Sequence, residues 1–279
     1  MTIVLRSLVV RSGSTTLVNG VALRLEPASR TALVGASGAG KSLTCAALAG
    51  ILPASLGVAG SLTVEPDDAD PRASSDRRGD VGGVNLLGLP AALRPRGSRI
   101  ALVAQDHSTA LHPLIAVGRQ IALASQAAGR SRDEADERAT DYLYAVGLDE
   151  SFADRVPGCL SGGQRQRISL ALALAAEPVL IIADEPTTAL DVVARAEILR
   201  LLTSLTSLPE APALLLITHD LPAAAICENV VVLHGGAVME RGPAAQVLVH
   251  PEHPVTVAMC EAAAEETIDG ALAAAGAAA

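Results

Sequence analysis

The chain has 279 residues, of which 50% are hydrophobic, and a formal charge of 21 − 30 = −9. That length allows one large domain or two small ones with a full core, while an acidic balance without a long Lys/Arg block argues against a broad nucleic-acid footprint. Aromatic residues are limited to Tyr142, Tyr144 and Phe152. Cys45, Cys159, Cys227 and Cys260 lack CxxC spacing and read as reduced thiols of a cytosolic protein.

The opening "MTIVLRSLVV" is broken by Arg6 and Ser7 and has no basic region followed by a cleavage pattern, so no signal peptide is expected. Residues 3–10 and 21–25 read as short strands around a Gly/Ser/Thr turn. "TALVG" (31–35) is an apolar strand ending in glycine, with a helix starting near Lys41. Residues 66–83 are polar, charged and Gly/Pro-bearing, the pattern of a flexible loop.

"RIALVA" (99–104) resumes a strand, and 113–176 is mostly helical by composition. Within it, "ISLALALAA" alternates with the period of a strand. Its Leu/Ala content, the capping signal before it and Pro178 after it nevertheless predict a helix. "VLIIAD" (179–184) and "ALLLIT" (213–218) suit strands buried on both faces of a parallel sheet. Residues 230–241 suggest a hairpin turning at "HGG", and 256–279 is a low-complexity tail whose end, "GALAAAGAAA" (270–279), is expected to fray. The most apolar stretch, 168–183, is interrupted by Glu177 and Pro178, short of the about 20 apolar residues a membrane-spanning helix needs.

Three motifs carry chemistry. "GASGAGKS" (35–42) fits a phosphate-binding loop between strand and helix: glycines let backbone N–H groups turn inward, Lys41 reaches the β/γ oxygens and the Ser42 hydroxyl ligates Mg2+. The contacts expected for ATP run through Gly35, Ala36, Ser37, Gly38, Ala39, Gly40, Lys41, Ser42 and Leu43. "LIIADE" ends a buried strand in two carboxylates, which need partners. Asp184 suits the Mg2+ shell and Glu185 the attacking water. "CLSGGQRQR" (159–167) begins a helix with a capping box of Ser161 and Gln164, yet places Gly162 and Gly163 where nothing in its own sequence explains them.

In this order these motifs resemble the ATP-binding-cassette (ABC) ATPases over nearly the whole chain. Gln105 matches the family's Q-loop, "LSGGQ" (160–164) its signature, "ALD" (189–191) its D-loop and His219 in "ITHD" its switch histidine. The resemblance implies an α/β fold: a P-loop NTPase (RecA-like) core with a parallel sheet, an antiparallel β-subdomain and an α-helical signature subdomain. It implies one ABC ATPase domain over 1–255, with the helical part at about 106–176. Ser42, Gln105 and Asp184 would hold Mg2+, Glu185 would act as general base, Lys41 would bind the phosphates and His219 would brace the γ-phosphate. Two subunits would sandwich two ATPs, with Ser161, Gly162, Gly163, Gln164 and Asp191 serving the partner's nucleotide.

"QDHSTALHPLIAVGRQI", "ADEPTTALDVVARAEILRLL" and "HPEHPVTVAM" further resemble the oligopeptide, dipeptide and nickel importer ATPases, with the short end after Pro254 leaning towards the nickel type. The partners so implied are a second cassette (identical or not), two membrane permeases docking near Gln105 and 106–118, and a separate solute-binding protein. No nucleic acid is implied, and the location is the cytoplasmic side of the plasma (inner) membrane. A soluble ABC ATPase acting on DNA or ribosomes is the alternative; no second cassette or coiled coil supports it. Family members usually stack adenine on an aromatic residue of the first hairpin, where this chain has Arg11 and Ser12, so weaker ATP binding or poor ATP/GTP discrimination is expected.

Overall fold

The computed structural model describes residues 1–66, 83–105, 110–188 and 190–277, with side chains as far as Glu265. The segment expected to be a flexible loop, 66–83, lies outside the described residues except for its two ends.

β1 (Thr2–Ser12) and β2 (Thr15–Leu25) form an antiparallel hairpin, and β4 (Gly57–Glu65) pairs with the other edge of β1. Both hairpin strands run further than expected. The polar ends Arg11–Ser12 and Thr15–Thr16 still pair across the ladder, where solvent-facing polar side chains are no obstacle. Between β2 and β4 come β3 (Arg30–Val34) and α1 (Lys41–Ala49). The C-terminus of α1 closes on Gly50 in the left-handed region, and the buried Arg94 guanidinium donates to the carbonyls of Ala47, Leu48 and Leu89. Burial of that guanidinium lowers its pKa to about 10.

After β5 (Ile100–Val103) the long helices before the next strand, among the described residues, are α2 (Val117–Ala128), α3 (Arg132–Ala145) and α4 (Gly162–Ala175). Period-two alternation in "ISLALALAA" thus yields to Leu/Ala propensity and the cap, as expected. β6 (Leu180–Asp184), α5 (Val192–Leu205), β7 (Ala213–Thr218), the short α6 (Leu221–Ala224), β8 (Asn229–His234), β9 (Ala237–Pro243) and the short α7 (Ala244–Val247) follow. The tail expected to fray is instead helical as far as described, α8 (Pro254–Ala277), because alanine has the highest helix propensity of all residues.

The larger sheet has the order β5-β6-β7-β3-β8-β9, parallel except for the antiparallel edge β9. Its four central strands are buried on both faces, and alternation sends side chains to two separate cores. Leu180, Ile182, Leu215 and Ile217 join the three-stranded sheet and α1. Ile181, Ala183, Leu214 and Leu216 join the helical layer. All three aromatic side chains lie in that layer, with Phe152 beneath the Arg155 guanidinium at 4.1 Å.

Register then positions the site. Val34 is level with Thr218, and Asp184 with Ile217. The next residues, Gly35, His219 and Glu185, therefore emerge side by side beyond the carboxyl ends of three adjacent strands, where open α/β sheets bind ligands.

Candidate active site

The loop after β3 is shaped mainly by its backbone, with the Lys41 side chain tied to two of its carbonyls. Gly38 and Gly40 sit at φ +78° and +101°, and Ala39 N–H donates to Ala36 C=O at 3.2 Å. α1 starts on Gly40 with no side-chain cap and no acidic residue in its first turn. The N–H groups of Lys41, Ser42 and Leu43 have no acceptor among the described residues, since the first helical bond is Thr44 N–H to Gly40 C=O. Three open amides at the positive end of a helix form an anion site. Lys41 is buried, and its ammonium donates to Gly35 C=O at 2.5 Å and Ala36 C=O at 3.1 Å. An ammonium has three donors, so one stays uncommitted.

Asp184 ends β6 half-buried, and its carboxylate accepts no hydrogen bond among the described residues. Burial first, then the neighbouring Glu185 charge, raise its pKa, while Lys41 opposes them. The same burial and the Asp184 charge push the Cys45 thiol well above its usual range, so Cys45 is packing rather than chemistry. An unpartnered carboxylate that resists ionisation, with the exposed Ser42 hydroxyl that also has no partner there, suits a hard divalent cation.

Glu185 is the hub. Its N–H extends the sheet pairing to Ile217 C=O at 2.9 Å, and its backbone then turns into the left-handed region at φ +46°. A non-glycine residue held there stores about 1 kcal/mol or more of strain, a common mark of functional sites. The turn aims the carboxylate at three partners. Oε1 lies 3.1 Å from His219 Nδ1, and Oε2 accepts from Thr188 Oγ1 at 3.1 Å and Gln105 Nε2 at 3.3 Å. An ionised carboxylate requires the proton on Nδ1. The sequence reading named Gln105, Glu185 and His219 but missed Thr188. Its signal was the turn formed three residues after Glu185, where Thr188 N–H donates to Glu185 C=O.

The remaining expected residues stand apart. Ser161 and Gln164 form the expected capping box of α4, with Gln164 N–H to Ser161 Oγ at 3.3 Å and Ser161 N–H to Gln164 Oε1 at 2.9 Å. Side chains added at Gly162 or Gly163 would meet open space. Asp191 caps α5 through Ala194 N–H at 2.9 Å, while Ala189 beside it is outside the described residues. No hydrogen bond or ion pair among the described residues joins Ser161, Gly162, Gly163, Gln164 or Asp191 to the loop, Asp184, Glu185 or His219.

Residues 18–188 match the family model described as ABC transporter. The chain is 38% identical to a putative peptide import ATP-binding protein of Brucella melitensis, over 87% of this chain and 70% of that one. It is 37% identical to the oligopeptide transport ATP-binding protein OppD of Haemophilus influenzae (90% and 74%), and 35% identical to the probable D,D-dipeptide transport ATP-binding protein DdpD of Escherichia coli (92% and 75%). Among solved structures it is similar to cbiO1 of Clostridium perfringens, part of the ABC transporter complex cbiONQ. The TM-score is 0.69 and the identity 25%, covering 89% of this chain and 90% of that one. It is also similar to the ATP-binding cassette MJ0796 in a dimeric post-hydrolysis state bound to ADP and Pi, with TM-score 0.65 and 26% identity over 88% and 99%.

Proposed function

This chain belongs to the ABC transporter family, and we propose that the residues gathered at its strand ends form one half of a paired ATP-hydrolysing engine for peptide uptake. It is the ATP-binding and ATP-hydrolysing subunit of an ABC importer, working with membrane permeases. No helix among the described residues is long and apolar enough to cross a membrane, and we place the chain on the cytoplasmic face, against two permease subunits. The relatives named above serve peptide, oligopeptide and dipeptide transport, which supports a short peptide as cargo over nickel.

The roles follow from the chemistry. Open amides at the start of α1 bind the β- and γ-phosphates. The Lys41 ammonium exchanges the carbonyls of Gly35 and Ala36 for phosphate oxygens, drawing off charge as the γ-phosphoryl group leaves. Ser42, Asp184 and Gln105 would hold Mg2+, which neutralises charge across the phosphates when bound. Glu185 takes the proton of the attacking water. Gln105, Thr188 and His219 fix its carboxylate so that little reorganisation is needed at that moment. Ser161, Gly162, Gly163, Gln164 and Asp191 serve the nucleotide of a second cassette, identical or not, and a separate solute-binding protein delivers the cargo.

The observation that carries this reading is the convergence of Gln105, Thr188 and His219 on the Glu185 carboxylate. Uptake of radiolabelled di- and oligopeptides, with nickel uptake alongside, in a strain lacking this chain tests the cargo. Loss of peptide uptake is expected; selective loss of nickel uptake would overturn it.

A further inference from the structure

A turn two hundred residues downstream closes the back of the phosphate loop. β8 and β9 are joined by Gly235 and Gly236, at φ +54° and +80°, with His234 paired to Ala237. Such two-residue hairpins need left-handed backbone at both central positions. The N–H of the second is not used by the ladder. Here Gly236 N–H donates to Ala39 C=O at 3.0 Å, inside the phosphate loop, and Gly236 C=O accepts from Asn19 N–H of β2 at 2.8 Å. The loop glycines rest against the same hairpin. A side chain on Gly35 would run into the Leu233 carbonyl, and one on Gly40 would lie 3.4 Å from Gly236 Cα and 3.3 Å from Val18 Cγ2.

We propose that Gly236 is a positioning residue of the nucleotide site, holding the phosphate loop in its binding shape from behind. The inference rests on the reading that this loop takes the phosphates. Loop geometry otherwise depends on one internal turn, Ala39 N–H to Ala36 C=O, and on the Lys41 ammonium bonded to two loop carbonyls. Lys41 gives up those carbonyls when it turns to a phosphate. The Gly236–Ala39 bond survives that exchange, so it fixes the loop in the bound state. The two glycines of the turn are not equivalent. Gly235 faces open space, whereas any side chain on Gly236 would collide with the Leu17 carbonyl.

The test measures equilibrium binding of a fluorescent ATP analogue to the full chain, and its displacement by ATP and by inorganic tripolyphosphate, which has no base. In the starting protein, binding must depend on Lys41; if Lys41→Ala binds equally well, the phosphate-loop reading itself fails. With that dependence in place, Gly236→Ala is expected to weaken ATP and tripolyphosphate in parallel by about tenfold. The KM for ATP rises likewise, kcat at saturation changes less than about threefold, and the nucleotide-free melting temperature falls because of the collision with Leu17, without loss of the folded state at assay temperature. Gly235→Asn, which tolerates the left-handed turn, stays close to the starting protein. Unchanged affinity in Gly236→Ala, weakening of ATP without tripolyphosphate, or an equal loss in Gly235→Asn would each overturn the proposal. If Gly236→Ala does not fold, one glycine inserted between Gly235 and Gly236 shifts the contact without adding a side chain. It is expected to show the same parallel loss, and its absence likewise overturns the proposal.

Discussion

Two helices of this molecule begin at glycines, and they begin in opposite ways. α1 has no side-chain cap, three amides without acceptors among the described residues, and a loop pressed against Leu233, Gly236 and Val18. α4 is closed by the Ser161–Gln164 box, while Gly162 and Gly163 look into open space. Local sequence makes either start an anion site. The difference lies in surroundings: the first is walled by neighbouring strands of its own chain, and the second is an open surface that, on the proposed function, another molecule would complete. Crowding, more than glycine content, separates a site from half of one.

The sharpest way to break the comparison is at the walled site. Glu185→Gln keeps the shape of the hub but cannot accept a proton, so ATP turnover should fall by about 10²–10⁴-fold, with ATP retained and a dimer accumulating. Phosphate release and size-exclusion chromatography with ATP check this; substantial turnover would remove Glu185 as base. At the open site, Ser161→Asp keeps an equally good cap but, on the proposed function, would place a carboxylate before the partner's phosphate. Like charges about 4 Å apart repel by roughly 1–4 kcal/mol near a protein surface, so turnover should fall about tenfold or more while the melting temperature holds. A melting loss with intact turnover would reduce Ser161 to a cap.

Ser12→Tyr would supply an aromatic side chain in the first hairpin, where family members usually stack the base. Stacking contributes about 1–3 kcal/mol per base, so ATP should bind about tenfold tighter, more so than tripolyphosphate. Equal gains for both would mean the hairpin does not meet the base. The smallest effect concerns Asp184. Its pKa is raised in the fold, so its contribution favours the native state at low pH and is lost as pH climbs through the carboxylate range. At neutral pH without a divalent cation, Asp184→Asn should therefore melt higher, at about 2–4 °C per kcal/mol for a chain of this size. Adding Mg2+ should close that gap by stabilising the unsubstituted protein, while the variant stays inactive.

Much of this was legible in the sequence because it is local. The phosphate loop, the carboxylates at the end of β6 and the cap of α4 each depend on neighbours within a few residues. The alternating "ISLALALAA" was decided by its cap and its composition. One illegible feature is a contact over a long separation: Gly236 reaches Ala39 only because β8 lies next to β3. The other, Thr188, is local: it lies three residues beyond Glu185 and joins the hub through the turn that follows the left-handed backbone there. The tail failed for another reason: low complexity suggested fraying, but alanine repeats are low in complexity and high in helix propensity at once.

The confinement of Tyr142, Tyr144 and Phe152 to the helical layer has an optical consequence. With no tryptophan anywhere, the near-ultraviolet spectrum and intrinsic fluorescence of the chain come from that layer alone, and the two sheets around the phosphate loop are spectrally dark. A single tryptophan introduced in the first hairpin would emit on a background free of other indoles. Motions of the helical layer and events at the nucleotide could then be recorded from one sample, in two separate bands of wavelength.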